Sequence, residues 1–205
     1  MDNSNIFNWI DPFPPEIQQK FDSNIFPVQI MADLIRLSLL SKYGGLWLDA
    51  TVYVSEKIPD EIFRMPFFTV IREEAKKYDI SGKISTFSLG RNVKNKNSQK
   101  LFDFSQKLLM EYIEREDNLM NYLLIENIMN IGISNDESIH KIVDYFWDNK
   151  KNILGLEKNL NKPYDSSTLH KLLSNNLFNK LNFHTNHLKK DKNNRLTNYG
   201  KLLQL

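Results

Sequence analysis

Asp33 and Arg36 stand three residues apart in the segment VQIMADLIRLSLLSK, residues 28–42, with Gln29 four residues ahead of Asp33. In a helix, spacings of four and three place all three polar side chains on one face. The rest of the segment (Ile30, Met31, Leu34, Ile35, Leu37, Leu39 and Leu40) is apolar almost all round, as in a helix buried on most sides. Two chemistries are open to the pair. One is an ion pair within the helix, worth roughly 0.3 kcal/mol when exposed. The other is a polar stripe along a cleft, where carboxylate and guanidinium bond the hydroxyls of a polar ligand.

A second carboxylate, Asp49, interrupts the β-branched and aromatic run LWLDATVYV, residues 46–54. An ionised carboxylate taken out of water costs on the order of several kcal/mol unless something pairs with it. Read as one strand, the run sends Trp47, Asp49, Thr51 and Tyr53 to one side and Leu46, Leu48, Val52 and Val54 to the other. Asp49 and Thr51 then offer two neighbouring oxygens, a spacing suited to a hard cation. A strand with one solvated face accounts for the same pattern, since aromatics often sit half exposed.

These residues need a helix, a turn and a strand to hold them. Tyr43-Gly44-Gly45 supplies the stop after residues 28–42. Helix, glycine turn and strand make an αβ unit, which favours an α/β or α+β fold. Upstream, Trp9 and Phe13 are expected anchors, and a short helix is expected from Pro14 with Pro15 in its first turn. Further strands are expected at Phe67–Ile71 and Ile84–Gly90. The second half reads as helical. One helix runs from Ser98, with Leu101, Phe104, Leu108 and Ile113 near helical period, and NLMNYLLIENIMNIG continues as a second helix ending at Gly132. Another is capped by Asn135 with Ile142, Val143 and Phe146 inward, and a fourth spans SSTLHKLLSNNLFNKL. The lysine- and asparagine-rich end after His187 reads as a solvated tail.

The bulk composition limits the function classes. The 205 residues suggest one domain, and 41% hydrophobic with 12% aromatic residues is enough for a core. A net charge of +2 from 27 basic and 25 acidic residues lacks the basic excess of a dedicated nucleic-acid binder. With no cysteine, disulfides and thiolate metal sites are excluded. There is neither a signal-peptide pattern nor a long uninterrupted apolar run, so a soluble, cytoplasmic protein is expected.

Taken together, ADLIRLSLLSKYGGLWLDAT, residues 32–51, resembles the signature of the capsular polysaccharide synthesis protein family. That family is related to glycosyltransferases with the pattern Ser-Asp-x-x-Arg, helix, Tyr-Gly-Gly and a strand ending in Asp-x-Asp. Asp33, Arg36, Tyr43, Gly44, Gly45, Trp47 and Asp49 match it in order, spacing and type. The resemblance implies one glycosyltransferase domain over 1–205. It would have a GT-A, Rossmann-like α/β core carrying the motif in 28–90 and a mainly helical acceptor side in 98–205. It implies a nucleotide-sugar donor, a uridine diphosphate sugar first among them, a glycan acceptor, and Mn²⁺ or Mg²⁺. Asp33 and Arg36 would contact the donor sugar. Asp49 would hold the metal with help from Thr51, and Tyr43, Gly44, Gly45 and Trp47 would shape the motif. A seat at the inner face of the membrane is compatible with such a role.

Two departures qualify that picture. Thr51 stands where the broader pattern has a second aspartate, although the capsular family commonly reads Asp-Ala-Thr. Only 32 residues precede Asp33, so the first βαβ unit is expected to be missing, and a partner chain could supply it. The rival expectation is therefore a non-catalytic or split family member that binds only glycan or protein. Glu126, on the apolar segment NYLLIENIM, is a secondary candidate for contact with sugar or for catalysis. His184 and His187, in FHTNH, are secondary metal candidates, while His140 and His170 read as surface residues. The basic stretch KKDKNNR, residues 189–195, is a candidate to face a diphosphate or an anionic membrane surface.

Overall fold

A computed structural model describes residues 10–72, 84–143 and 150–204. The expected anchor Trp9 and the expected core residue Phe146 lie outside the described residues. Helix α1 (Pro15–Asp22) carries Pro in its first turn and buries Ile17 and Phe21. Helix α2 (Val28–Tyr43) buries Ile30, Leu34, Leu37 and Leu40 in the main core, as the apolar run requires. Gly44 ends it, and its N–H donates to the Leu40 carbonyl. At φ 66° and ψ −151° Gly44 occupies backbone space essentially reserved for glycine. A Cβ there would also stand 2.9 Å from the Val93 backbone nitrogen and 3.0 Å from the Arg91 carbonyl.

The chain then enters strand β1 (Gly45–Leu48). The expected single strand over LWLDATVYV is in fact two. Asp49 accepts from the Val52 N–H at 2.9 Å, closing a tight turn, and β2 (Val52–Val54) leaves in another direction. Both pieces are half-buried along their whole length, and the expected alternation does not run through the turn. After the short helix α3 (Asp60–Arg64), the expected strand at Phe67–Ile71 is likewise divided, into β3 (Phe67–Thr69) and β4 (Ile71–Arg72). Strand β5 (Ser88–Arg91) is shorter than the expected Ile84–Gly90. It lies at the centre of an antiparallel sheet in the order β1-β5-β3.

Helix α4 (Lys96–Arg115) is capped by the Asn95 side chain, which accepts from the Ser98 N–H. It stops at Arg115. A separate helix, α5 (Leu124–Asn135), follows and runs past Gly132. Helix α6 (Glu137–Val143) is capped by Asp136, not Asn135, because Asp136 Oδ1 accepts from both the N–H and the hydroxyl of Ser138. Strand β6 (Lys150–Lys151) pairs in parallel with β4. Helix α7 (Ser166–Asn175) ends at two asparagines, and the expected helical continuation LFNK is instead strand β7 (Phe178–Lys180), antiparallel to β2.

The end after His187 is folded as well. Thr197 and Asn198 are buried, isolated bridges join Lys190 to Leu196 and Pro163 to Thr197, and helix α8 (Asn198–Leu202) closes the chain. Arg195 is tied back to Asp191 at 2.8 Å, so the basic stretch forms a turned loop and not a tail. The mixed α/β fold is as expected, with small sheets in which, among the described residues, only β4 and β6 pair in parallel. Among the described residues no helix is long and apolar enough to cross a membrane.

Arg91 fastens the central strand to the end of α2. Its buried guanidinium donates to the carbonyls of Leu40 at 2.6 Å and Ser41 at 2.7 Å, and also to the Gln99 side chain. Both carbonyls lie in the last turn of the helix, where a cation is favoured. The glycine turn is thus gripped from outside. Gly44→Ala should lower the unfolding free energy by about 2 kcal/mol from backbone strain alone, more once the contact with Val93 is counted. Chemical denaturation of both proteins checks this.

Candidate functional site

The polar face of α2, the end of β1 and the end of β7 open into one cavity of about 830 Å³. That is within the range of small-molecule sites. Gln29, Asp33 and Arg36 line it from the helix, at the spacing read from the sequence. Asp49 arrives from the strand end because its N–H donates to the Phe87 carbonyl at 2.9 Å, which extends the β1–β5 ladder by one residue.

The charged groups form a chain of alternating sign. Arg36 Nη1 donates to Asp33 Oδ1 at 2.6 Å, and Nη2 donates to Asp49 Oδ1 at 2.8 Å. The pairing therefore reaches beyond the helix, and the Arg36 side chain is only 6% exposed. Trp47 Nε1 donates to the same Asp49 oxygen at 2.8 Å, while its ring lies 5.1 Å from the guanidinium carbon. On the other side Lys180 Nζ stands 3.4 Å from Asp49 Oδ2 and hydrogen-bonds Thr51 Oγ1. The ammonium also lies over the Phe87 ring at 5.1 Å. Trp47 thus orients the carboxylate as well as shaping the motif.

Burial pushes the Asp33 carboxyl up from 3.8 to about 6, helped by the charge of Asp49 and opposed by Arg36. A perturbed carboxyl in a cleft beside a specific charge partner is the mark of a functional-site candidate.

Glu126, buried on α5, also lines the cavity, as do Thr51 and the exposed His184 with its ring 3.8 Å from that of Phe183. His187 does not join them. Its Nε2 lies 3.2 Å from both Glu157 carboxylate oxygens and its ring rests 5.2 Å from Tyr199. Burial opposes ionisation of Glu157, yet the Asn182 N–H and His187 hold its carboxyl below the ordinary range. Tyr43, Gly44 and Gly45 stay behind the cleft, where they turn the chain. Lys180 and Phe87 were not found from sequence. The asparagines at 175–176 were the available signal that the helix ends before Lys180.

A divalent hard cation needs several oxygen ligands. Here Asp49 already receives Arg36 and Trp47 on one oxygen and faces Lys180 with the other, and Thr51 is bonded to Lys180. Among the described residues no group of three or more His, Cys, Asp or Glu could hold an ion. The donors present do not fit Mn²⁺ or Mg²⁺ in this arrangement.

The model of the capsular polysaccharide synthesis protein family matches residues 1–202, and the chain belongs to that family. No curated protein and no solved structure matches it.

The raised carboxyl of Asp33 has a measurable consequence. The folded state binds this proton more tightly than the unfolded chain does. Its contribution to stability is thus full below 3.8 and is lost as pH rises through about 6. Compared by urea unfolding at pH 4 and pH 7, Asp33→Asn should gain on the parent protein by roughly 2 kcal/mol at the higher pH. A difference that does not change with pH would contradict this.

Proposed function

We propose that the chain is a glycosyltransferase of GT-A type, moving a sugar from a nucleotide-activated donor to a glycan acceptor in surface polysaccharide synthesis. The observation that carries this reading is the convergence of Asp33, Arg36 and Asp49 on one cavity, together with Glu126 from the other half of the chain. Family membership supplies the biological setting.

The chemistry fits the charges. Glycosyl transfer builds positive charge on the sugar ring and negative charge on the departing phosphate. Carboxylates and guanidinium held by one another do not need to reorganise as those charges appear. In this reading Asp33 and Arg36 orient donor hydroxyls, and Glu126 faces the sugar or the acceptor hydroxyl. Asp49 keeps Arg36 in place while remaining partly open to the cleft, its side chain 29% exposed. Water is limited on the helix side, where the Asp33 and Arg36 side chains are 12% and 6% exposed.

The test is release of nucleoside diphosphate from uridine and guanosine diphosphate sugars, with and without a glycan acceptor. Asp49→Asn and Glu126→Gln keep side-chain shape and should each lower kcat/KM by about 100-fold with at least one donor. No release from any donor, or release indifferent to both variants, would refute the reading.

A further inference from the structure

Lys180 sits where the sequence pattern leads one to expect a metal ion. Its ammonium contacts Asp49 Oδ2 at 3.4 Å and bonds Thr51 Oγ1, the two oxygens that the motif offers to a cation. The position is built and not incidental. Strand β7 pairs with β2 so that Lys180 lies opposite Val52, and the next residue, Leu181, donates its N–H to the Thr51 carbonyl at 2.8 Å. The Lys180 N–H in turn donates to the Ile153 carbonyl at 2.9 Å. Beneath the ammonium, the Phe87 ring provides a face 5.1 Å away.

We propose that Lys180 is the resident cation of this site: its ammonium receives the diphosphate of the ligand from the position between Asp49 and Thr51, and diphosphate binding needs no divalent metal. This rests on the nucleotide-sugar reading and names the group that would recognise the donor's anionic part. An ammonium has three N–H donors. Two are directed at Asp49 and Thr51, which leaves the third for a ligand oxygen in the cavity that Lys180 lines. Asp49 also carries Arg36, so two cations flank one carboxylate at this end of the cleft. Arg36 is also held by Asp33, so the lysine N–H left over is the donor at this end of the row that a phosphate oxygen can take, and a charge-assisted bond from lysine to phosphate is a strong one. A divalent ion at the same place would have to displace the lysine and compete with it for both oxygens.

The experiment is isothermal titration of the full chain with uridine diphosphate, once in excess EDTA and once with Mn²⁺. Titration of inorganic pyrophosphate distinguishes recognition of the diphosphate alone from recognition of the whole nucleotide. The parent protein should bind uridine diphosphate with the same affinity in both buffers. Lys180→Met should weaken that binding about 10- to 100-fold in EDTA, and Lys180→Arg, which keeps the charge, should retain most of it. Melting temperatures of the variants establish that the fold is kept, and Lys180→Gln, expected to lose binding as Lys180→Met does, carries the test if Lys180→Met does not fold.

Binding that requires Mn²⁺ and is unchanged in Lys180→Met would overturn the proposal while leaving the nucleotide-sugar reading standing. Absence of binding by uridine diphosphate, guanosine diphosphate and pyrophosphate in both buffers would overturn the two together.

Discussion

Arg36 is the group on which the arrangement of the cleft depends. A guanidinium this deeply buried is tolerable only when its charge is met, and here two carboxylates meet it from different elements. Asp33 reaches it within the helix, and Asp49 reaches it from the end of the neighbouring strand. The interaction therefore does more than stabilise a helix turn: it fixes the distance between helix and strand at the place where the cavity opens. Removing one partner would leave a buried charge, which typically costs about 3–5 kcal/mol. The raised carboxyl of Asp33 records the other side of the same constraint, since a cation shared with a second acid does not fully repay the burial of Asp33.

Much of the scaffold serves that contact. Gly44 turns the chain in a conformation other residues avoid, and Arg91 ties the carbonyls at the end of α2 to the central strand. Trp47 completes the hold on Asp49 with its indole N–H while its ring covers the guanidinium. The tight turn at Asp49 then frees the chain to leave the first sheet. Strand β2 joins β7 and brings Lys180 from 131 residues away in sequence to the same carboxylate. Opposed charges thus connect helix, first sheet and second sheet in a single row.

How legible this was follows from how local each cause is. The helix over 28–42, its polar face and its glycine stop depend on residues three and four apart, and all three were readable. The meeting of Arg36 with Asp49 was not: a carboxylate among apolar neighbours demands a partner, but the expected partner was a metal ion and not the arginine of α2. The break after Leu48 was not readable from alternation, since Asp49-Ala50-Thr51 keeps the period of two while the backbone turns. LFNK was misread for a related reason: an apolar stretch following a helix looks helical until pairing with β2 claims it. The end after His187 was misjudged from composition alone. Lys189, Lys190, Lys192, Asn193 and Asn194 are indeed exposed, yet Thr197 and Asn198 bury hydrogen-bonding groups that order the loop. Lys180 lay beyond local reading altogether, because only the long-range strand pair places it.

The direct measurement of the central claim is a crystal structure of the chain bound to uridine diphosphate or guanosine diphosphate. The account predicts the nucleotide in the cavity between α2, β1 and β7. It also predicts that the Asp33–Arg36–Asp49 contacts are retained and that a phosphate oxygen lies within hydrogen-bond distance of Lys180. A nucleotide bound elsewhere on the molecule, with the cavity empty and the charged row undisturbed, would contradict it.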